Sequence, residues 1–267
     1  IFNKLTLEGA ELSTKFNNNV LDSTKAVTFE LTTKEEVEGL PESALALAAQ
    51  TARSKGHESA TTENGPWVIT LDIPSYLPCM QHLKRQDIRE RIYRAYILRA
   101  SSGESDNTGI IQRILTSRKH KSRMLGFNTY AELSLASKMA PSYEAVDSLI
   151  NMLRDSSFGP ATEEFRKVQE YARSKGFEED LQLWDVTYWS ERQREELYDF
   201  KEEELRPYFP LPAVLDGLFG LANRLFGVVI RAANGQAETW HPDVQFFNVI
   251  DEESGEHIAS FYLDPYS

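Results

Sequence analysis

The sequence predicts a mainly α-helical chain with a small β-sheet near its C-terminus, an α+β class. Apolar residues recur at helical spacing through most of the first 226 residues. Strand-like alternation is confined to two short early runs and to the last forty residues. Neither an internal repeat nor a low-complexity linker interrupts the chain.

Residues 2 to about 24 read as the first helix, with Phe2, Leu5, Leu12 and Phe16 recurring along it. Val27-Thr28-Phe29-Glu30-Leu31 then alternates like a strand. Gly39-Leu40-Pro41-Glu42 is a turn whose proline is placed to open a helix, the alanine- and leucine-rich run from Ser43 to Ser54. Gly56 follows where a helix end favours glycine. After the turn Asn64-Gly65-Pro66, Trp67 to Leu71 reads as a strand stopped by Pro74. Gln86 to Ser101 is helical, with Ile88, Ile92 and Tyr96 on one stripe. Asp106-Asn107-Thr108 caps the next helix, which carries Ile111, Ile114 and Leu115 and ends near Gly126.

A short helix is expected around Tyr130 to Ser137. Ser142 then caps a helix with Tyr143, Val146, Leu149, Ile150 and Leu153 at core spacing. Gly159-Pro160 is expected to interrupt it before Phe165, Val168 and Tyr171 resume the period. Trp184 to Phe200 and Val214 to Phe226 complete the helices, with Pro207, Pro210 and Pro212 between them. Val228 to Ile230, Phe246 to Ile250 and Ile258 to Leu263 read as three strands joined through Asn234-Gly235 and Glu253-Ser254-Gly255. The expected division is a helical segment over 1–226 and a strand-rich one over 227–267.

Composition narrows the function classes. A chain of 267 residues is long enough to bury a substantial core. Its 29 basic against 41 acidic residues give a net charge of −12, which argues against a phosphate-backbone partner and would attract basic ligands. The single cysteine, Cys79, excludes an internal disulfide and fits a reducing compartment. The longest apolar stretch, Leu211 to Ile230, is broken by Asp216, Asn223, Arg224 and glycines, so no membrane span of ~20 apolar residues is expected. These features describe a soluble intracellular protein. The chain opens at Ile1 directly on a helical pattern and closes just after a strand, which reads as an interior segment of something longer.

The sequence holds no G-x-S-x-G elbow, no phosphate loop and no G-x-G-x-x-G fingerprint. Its five histidines, His57, His82, His120, His241 and His257, are never three or four apart, the spacing that puts two metal ligands on one helix face. That leaves only a metal site assembled from distant histidines, a reading disfavoured because metal ligands commonly come at short spacings. The acid runs Glu35-Glu36, Glu163-Glu164, Glu178-Glu179-Asp180 and Glu202-Glu203-Glu204 read as solvated helix faces. Arg85, Arg89, Arg91 and Arg94 can bind an acidic partner or pair with Asp87 and Glu90, and pairing is the reading preferred. His241, in Trp240-His241-Pro242-Asp243-Val244, can orient a substrate, or be held by local hydrogen bonds as a structural histidine. Trp184-Asp185 and Tyr188-Trp189 can line a cleft, although aromatics at this helical spacing are more often core.

Gly65-Pro66-Trp67-Val68-Ile69-Thr70-Leu71-Asp72, Tyr93-Arg94-Ala95-Tyr96 with Arg99-Ala100-Ser101-Ser102-Gly103, and Trp184-Asp185-Val186-Thr187-Tyr188-Trp189 stand in order along the chain. Together, over nearly the whole chain, such stretches resemble the thimet oligopeptidase/oligopeptidase A family of zinc metallopeptidases. Glu204-Leu205-Arg206-Pro207-Tyr208-Phe209, Trp240 to Val244 and Tyr262-Leu263-Asp264-Pro265-Tyr266 continue the pattern. The resemblance implies a two-lobed, channel-containing, mainly helical peptidase that cuts short or unfolded peptides. It also implies a zinc ion held by a His-Glu-x-x-His helix and a later glutamate. That motif is absent from this sequence, so the resemblance implies zinc ligands outside it and a chain inactive by itself. No catalytic or metal residue carries over. Phe261, Tyr262 and His241 are the expected substrate-binding residues, because a strand beside the metal can pair with a peptide backbone. A non-catalytic peptide-binding or assembly module on the same fold is the alternative.

Overall fold

Helices dominate the computed structural model, which describes residues 1–199 and 204–265. The chain divides into two units, Ile1–Asp199 and Phe200–Ser267. In the first, α1 (Phe2–Ala26), β1 (Thr28–Leu31), α2 (Glu42–Ser54) and β2 (Trp67–Thr70) precede α3 (Ile73–His82) and α4 (Gln86–Ile97). Then follow α5 (Thr108–Met124), α6 (Tyr130–Leu135), α7 (Tyr143–Ser174) and α8 (Leu183–Tyr198). β1 and β2 form an antiparallel ribbon with Leu31 opposite Trp67.

The principal core forms around this ribbon. Ala48, Ala49 and Ala52 of α2 are buried in one cluster with Trp67 and Ile69 of β2, Cys79 of α3, and Ile88 and Ile92 of α4. Small alanine side chains let α2 lie close to the strand, and the branched residues fill the remaining volume. A smaller cluster joins Val168 and Ala172 of α7 to Leu181, with Phe177 and Trp189 packed against it.

Two elements depart from expectation, and both involve proline. The second strand ends at Thr70, before Pro74, as expected. Pro74 then lies in the first turn of α3, a helix not expected there, where the N–H it lacks would have no helical partner. Gly159-Pro160 was expected to interrupt a helix, but α7 continues through it for 32 residues. One missing backbone bond is outweighed by the regular turns on either side. Ser142 caps α7 as expected, its hydroxyl accepting from the Ala145 amide at 3.3 Å. Leu149, Ile150 and Leu153 have the spacing of a buried stripe, yet they are exposed here. The expected helix end at Phe200, the pair Glu202-Glu203, and Tyr266 lie outside the described residues.

The second unit contains α9 (Leu211–Phe226), β3 (Val228–Ala232), β4 (Gln245–Asp251) and β5 (His257–Leu263). The strands run antiparallel in the order β3-β4-β5. Gly227, at φ 64°, adopts the left-handed conformation that closes α9 and turns the chain directly into β3. α9 lays Phe219 against Phe247 and Phe261, with ring centroids 5.2 and 6.4 Å away. Through Phe219 the helix packs on one face of the sheet.

Candidate functional site

β5 lies at the end of its sheet, and among the described residues it pairs only with β4. Among the described residues no strand pairs with its other backbone row. Alternation along β5 sends its two expected site residues to opposite faces. Phe261 stands opposite Phe247, their rings stacked at 5.3 Å on the face that α9 covers. Tyr262 stands opposite Phe246, their rings 4.9 Å apart on the outer face.

The long β3–β4 loop returns across that outer face. The Phe246 amide donates to Asn234 Oδ1 at 2.8 Å, and Asn248 Nδ2 donates to Gln236 Oε1 at 2.9 Å. These bonds bring Trp240 to Tyr262, at 5.2 Å between centroids and an interplanar angle of 50°. Trp240 Nε1 donates to Asp264 Oδ2 at 3.0 Å, fixing the indole by its edge. Trp240 remains 65% exposed and Tyr262 42% exposed. Asp251 closes the β4–β5 turn; the Ser254 amide and hydroxyl bonded to its carboxylate hold its pKa below the usual range. Phe246 and Asp264 were not singled out in the sequence, because their partnership with Tyr262 and Trp240 depends on strand register and loop path.

His241 adjoins Trp240 but bonds within its own turn. Its Nδ1 accepts from the Asp243 amide at 3.3 Å and lies 3.6 Å from that residue's carboxylate. On the outer face, Ser260 Oγ donates to Asn248 Oδ1, so the His257 nitrogen 2.8 Å away must be the donor to Ser260. That direction leaves Ser260 without a base to activate it.

In the first unit, His82, Glu191 and Glu195 bring ligand atoms within 4.8 Å of one another. They do not fit zinc. Arg192 Nη2 already occupies the position of a cation, 2.7 Å from His82 Nδ1 and 3.2 Å from Glu195 Oε1. Arg194 takes both oxygens of Glu191. A bound metal would have to displace these guanidinium groups. Cys79 offers no nucleophile either, since burial pushes its thiol up to about 12. A cavity of about 830 Å³ lies between α6 and the start of α7, but Glu132 and Ser142 in its wall are already engaged in helix capping.

The aromatic segment of α8 is half-buried, with Trp189 packed against the smaller core cluster. Trp189 packs edge-on to Tyr171 and Tyr188, and Asp185 is fully buried against Arg89.

The chain belongs to peptidase family M3, whose profile matches residues 79–267. It is similar along its whole length to organellar oligopeptidase A, chloroplastic/mitochondrial, of Arabidopsis thaliana, at 54% identity. Similarity extends to oligopeptidase A of Haemophilus influenzae at 40% and to dipeptidyl carboxypeptidase of Escherichia coli at 30%, each over 97% of the chain. The chain spans 34% of the length of the first relative and 37% of each of the other two.

Proposed function

We propose that this chain forms part of a longer zinc metallo-oligopeptidase that hydrolyses short or unfolded peptides, with every zinc ligand outside these 267 residues. The carrying observation is an edge strand, β5, in a member of a peptidase family. An extended peptide added to that edge gains backbone hydrogen bonds along its length, and alternate side chains meet the two faces of the sheet. On this reading β5 receives the substrate backbone, with Phe261 and Tyr262 shaping the two faces and His241 flanking the outer one. Residues 1–226 serve as channel wall and 227–267 begin the active-site lobe.

The longer protein is soluble and intracellular and takes peptides rather than nucleic acid or membrane. The excess of acidic residues supports this. So does the lack, among the described residues, of a helix long and apolar enough to cross a membrane. The second reading is a peptide-binding or assembly module on the same fold, without catalysis.

The mass and zinc content of the intact protein, combined with peptide cleavage, separate the two. A mass well above 30.4 kDa with about one zinc per chain and cleavage of short peptides is expected. A metal-free protein of 30.4 kDa that binds peptides without cutting them would establish the second reading. In the active protein, Tyr262→Ala is expected to raise KM more than it lowers kcat. An unaltered KM removes β5 from the substrate path.

A further inference from the structure

The outer face of the C-terminal sheet has a feature that backbone pairing does not use. Trp240, Tyr262 and Phe246 meet in a corner of three rings, two of them substantially exposed. The faces of such rings are electronegative and attract cations. In the first unit, rings are commonly matched with cations from the same chain. Arg99 lies over Tyr96 at 3.6 Å, Arg89 over Tyr188 at 4.3 Å, and Arg94 over Trp184 at 4.8 Å. Every such pair found among the described residues belongs to 1–199, and none of them involves Trp240, Tyr262 or Phe246.

The surrounding sequence points the same way. From Ala232 to Ser267 there is no lysine or arginine, while seven carboxylates occur: Glu238, Asp243, Asp251, Glu252, Glu253, Glu256 and Asp264. One of these, Asp264, is tied to the edge of the Trp240 ring. The local carboxylates therefore favour a positive ligand, although Arg231, paired opposite Asn248, projects to the same outer face and is a cation the ligand must compete with.

We propose that the Trp240–Tyr262–Phe246 corner is a subsite for a lysine or arginine side chain of a peptide lying along β5. This rests on the peptide-binding reading of that edge. A residue paired opposite Tyr262 projects to the same face as Tyr262, and so reaches the corner. A purely structural role, shielding the sheet, gives the corner no preference for charge.

The test uses the intact protein with cleavage stopped by a chelator. Peptides of one sequence carry either lysine or norleucine at each position in turn, and Kd is measured by calorimetry. At one position lysine is expected to bind more tightly by roughly two- to thirty-fold, the span of cation–aromatic attractions from exposed to desolvated sites. The preference should shrink with added salt and in Asp264→Asn, disappear in Trp240→Leu, and survive in Trp240→Phe. Circular dichroism checks that each variant is folded, and Asp264→Asn keeps the test decisive if Trp240→Leu is not. Equal Kd for lysine and norleucine at every position overturns the subsite while leaving peptide binding intact, as does a preference that persists in Trp240→Leu. Failure of every peptide to bind overturns the subsite and the reading beneath it.

Discussion

Arg89 is 2% exposed and Asp185 is fully buried, and their 2.6 Å contact joins α4 to α8 across 96 residues of sequence. Further donors and acceptors of the pair are also used. Arg89 Nε donates to the Trp184 carbonyl at 3.0 Å, and Nη1 donates to the carbonyls of Leu83 and Lys84. Gln86 Nε2 and the Gln182 amide donate to Asp185 Oδ2. Removing one partner leaves the other charge buried without compensation. Asp185→Ala is therefore expected to lower the unfolding free energy by about 3–5 kcal/mol in urea. Arg94→Ala breaks the exposed pair with Glu90 and the cation–ring contact with Trp184, each worth about 1 kcal/mol or less, and should cost clearly less than Asp185→Ala. The double replacement Arg89→Met with Asp185→Leu should lose much less than Asp185→Ala; an equal loss would show that the charges themselves are required. The neighbouring pairs Arg85–Asp87 and Arg94–Glu90 were legible because both partners lie on one helix or beside it. Arg89 was not, since only tertiary packing selects so distant a partner. The candidate site divides in the same way. Strand alternation separates Phe261 from Tyr262, but no local pattern encodes the bond between Trp240 and Asp264, 24 residues apart.

At the level of elements, signals that act within one turn were readable, and signals whose meaning depends on the helix frame were not. The Ser142 cap, the left-handed Gly56 after α2 and the Asn234-Gly235 turn all lie where their chemistry places them. Pro74 was read as a strand stop and Pro160 as a helix break, yet their effects follow from position in the helix. Pro74, in the first turn of α3, removes an N–H that would have no helical partner. Pro160 lies well inside α7, where it removes a backbone bond and crowds the carbonyl four residues earlier. The two alanine replacements should therefore differ. Pro160→Ala is expected to stabilise α7 by on the order of 1–3 kcal/mol, read as a raised Tm and greater helical ellipticity. Pro74→Ala should leave both nearly unchanged. A lower Tm for Pro160→Ala would mean that the geometry imposed by the proline is needed for packing at the far end of the helix, where Val168 and Ala172 are buried.

Over the whole molecule, apolar surface is left uncovered on both units. α7 exposes Leu149, Ile150 and Leu153, and α9 exposes Leu218, Leu221 and Leu225 while its Phe219 packs on the sheet. Both sets recur at the spacing of a buried stripe, so the periodicity was legible, but what covers it was not. Stripes of this kind are unusual on a monomer and favour association. A net charge of −12 opposes that association through mutual repulsion between chains. The balance of these two terms makes a specific prediction for the isolated 267-residue chain. Self-association, followed by light scattering, should be weak at low ionic strength and should increase as salt screens the repulsion. Replacing Leu149, Leu153, Leu221 and Leu225 by glutamate should suppress both this association and the binding of an apolar dye, with no loss of helical ellipticity. A chain that stays monodisperse at every salt concentration, melts cooperatively and binds no dye would refute the prediction. It would mean that these leucines close onto one another within a single chain.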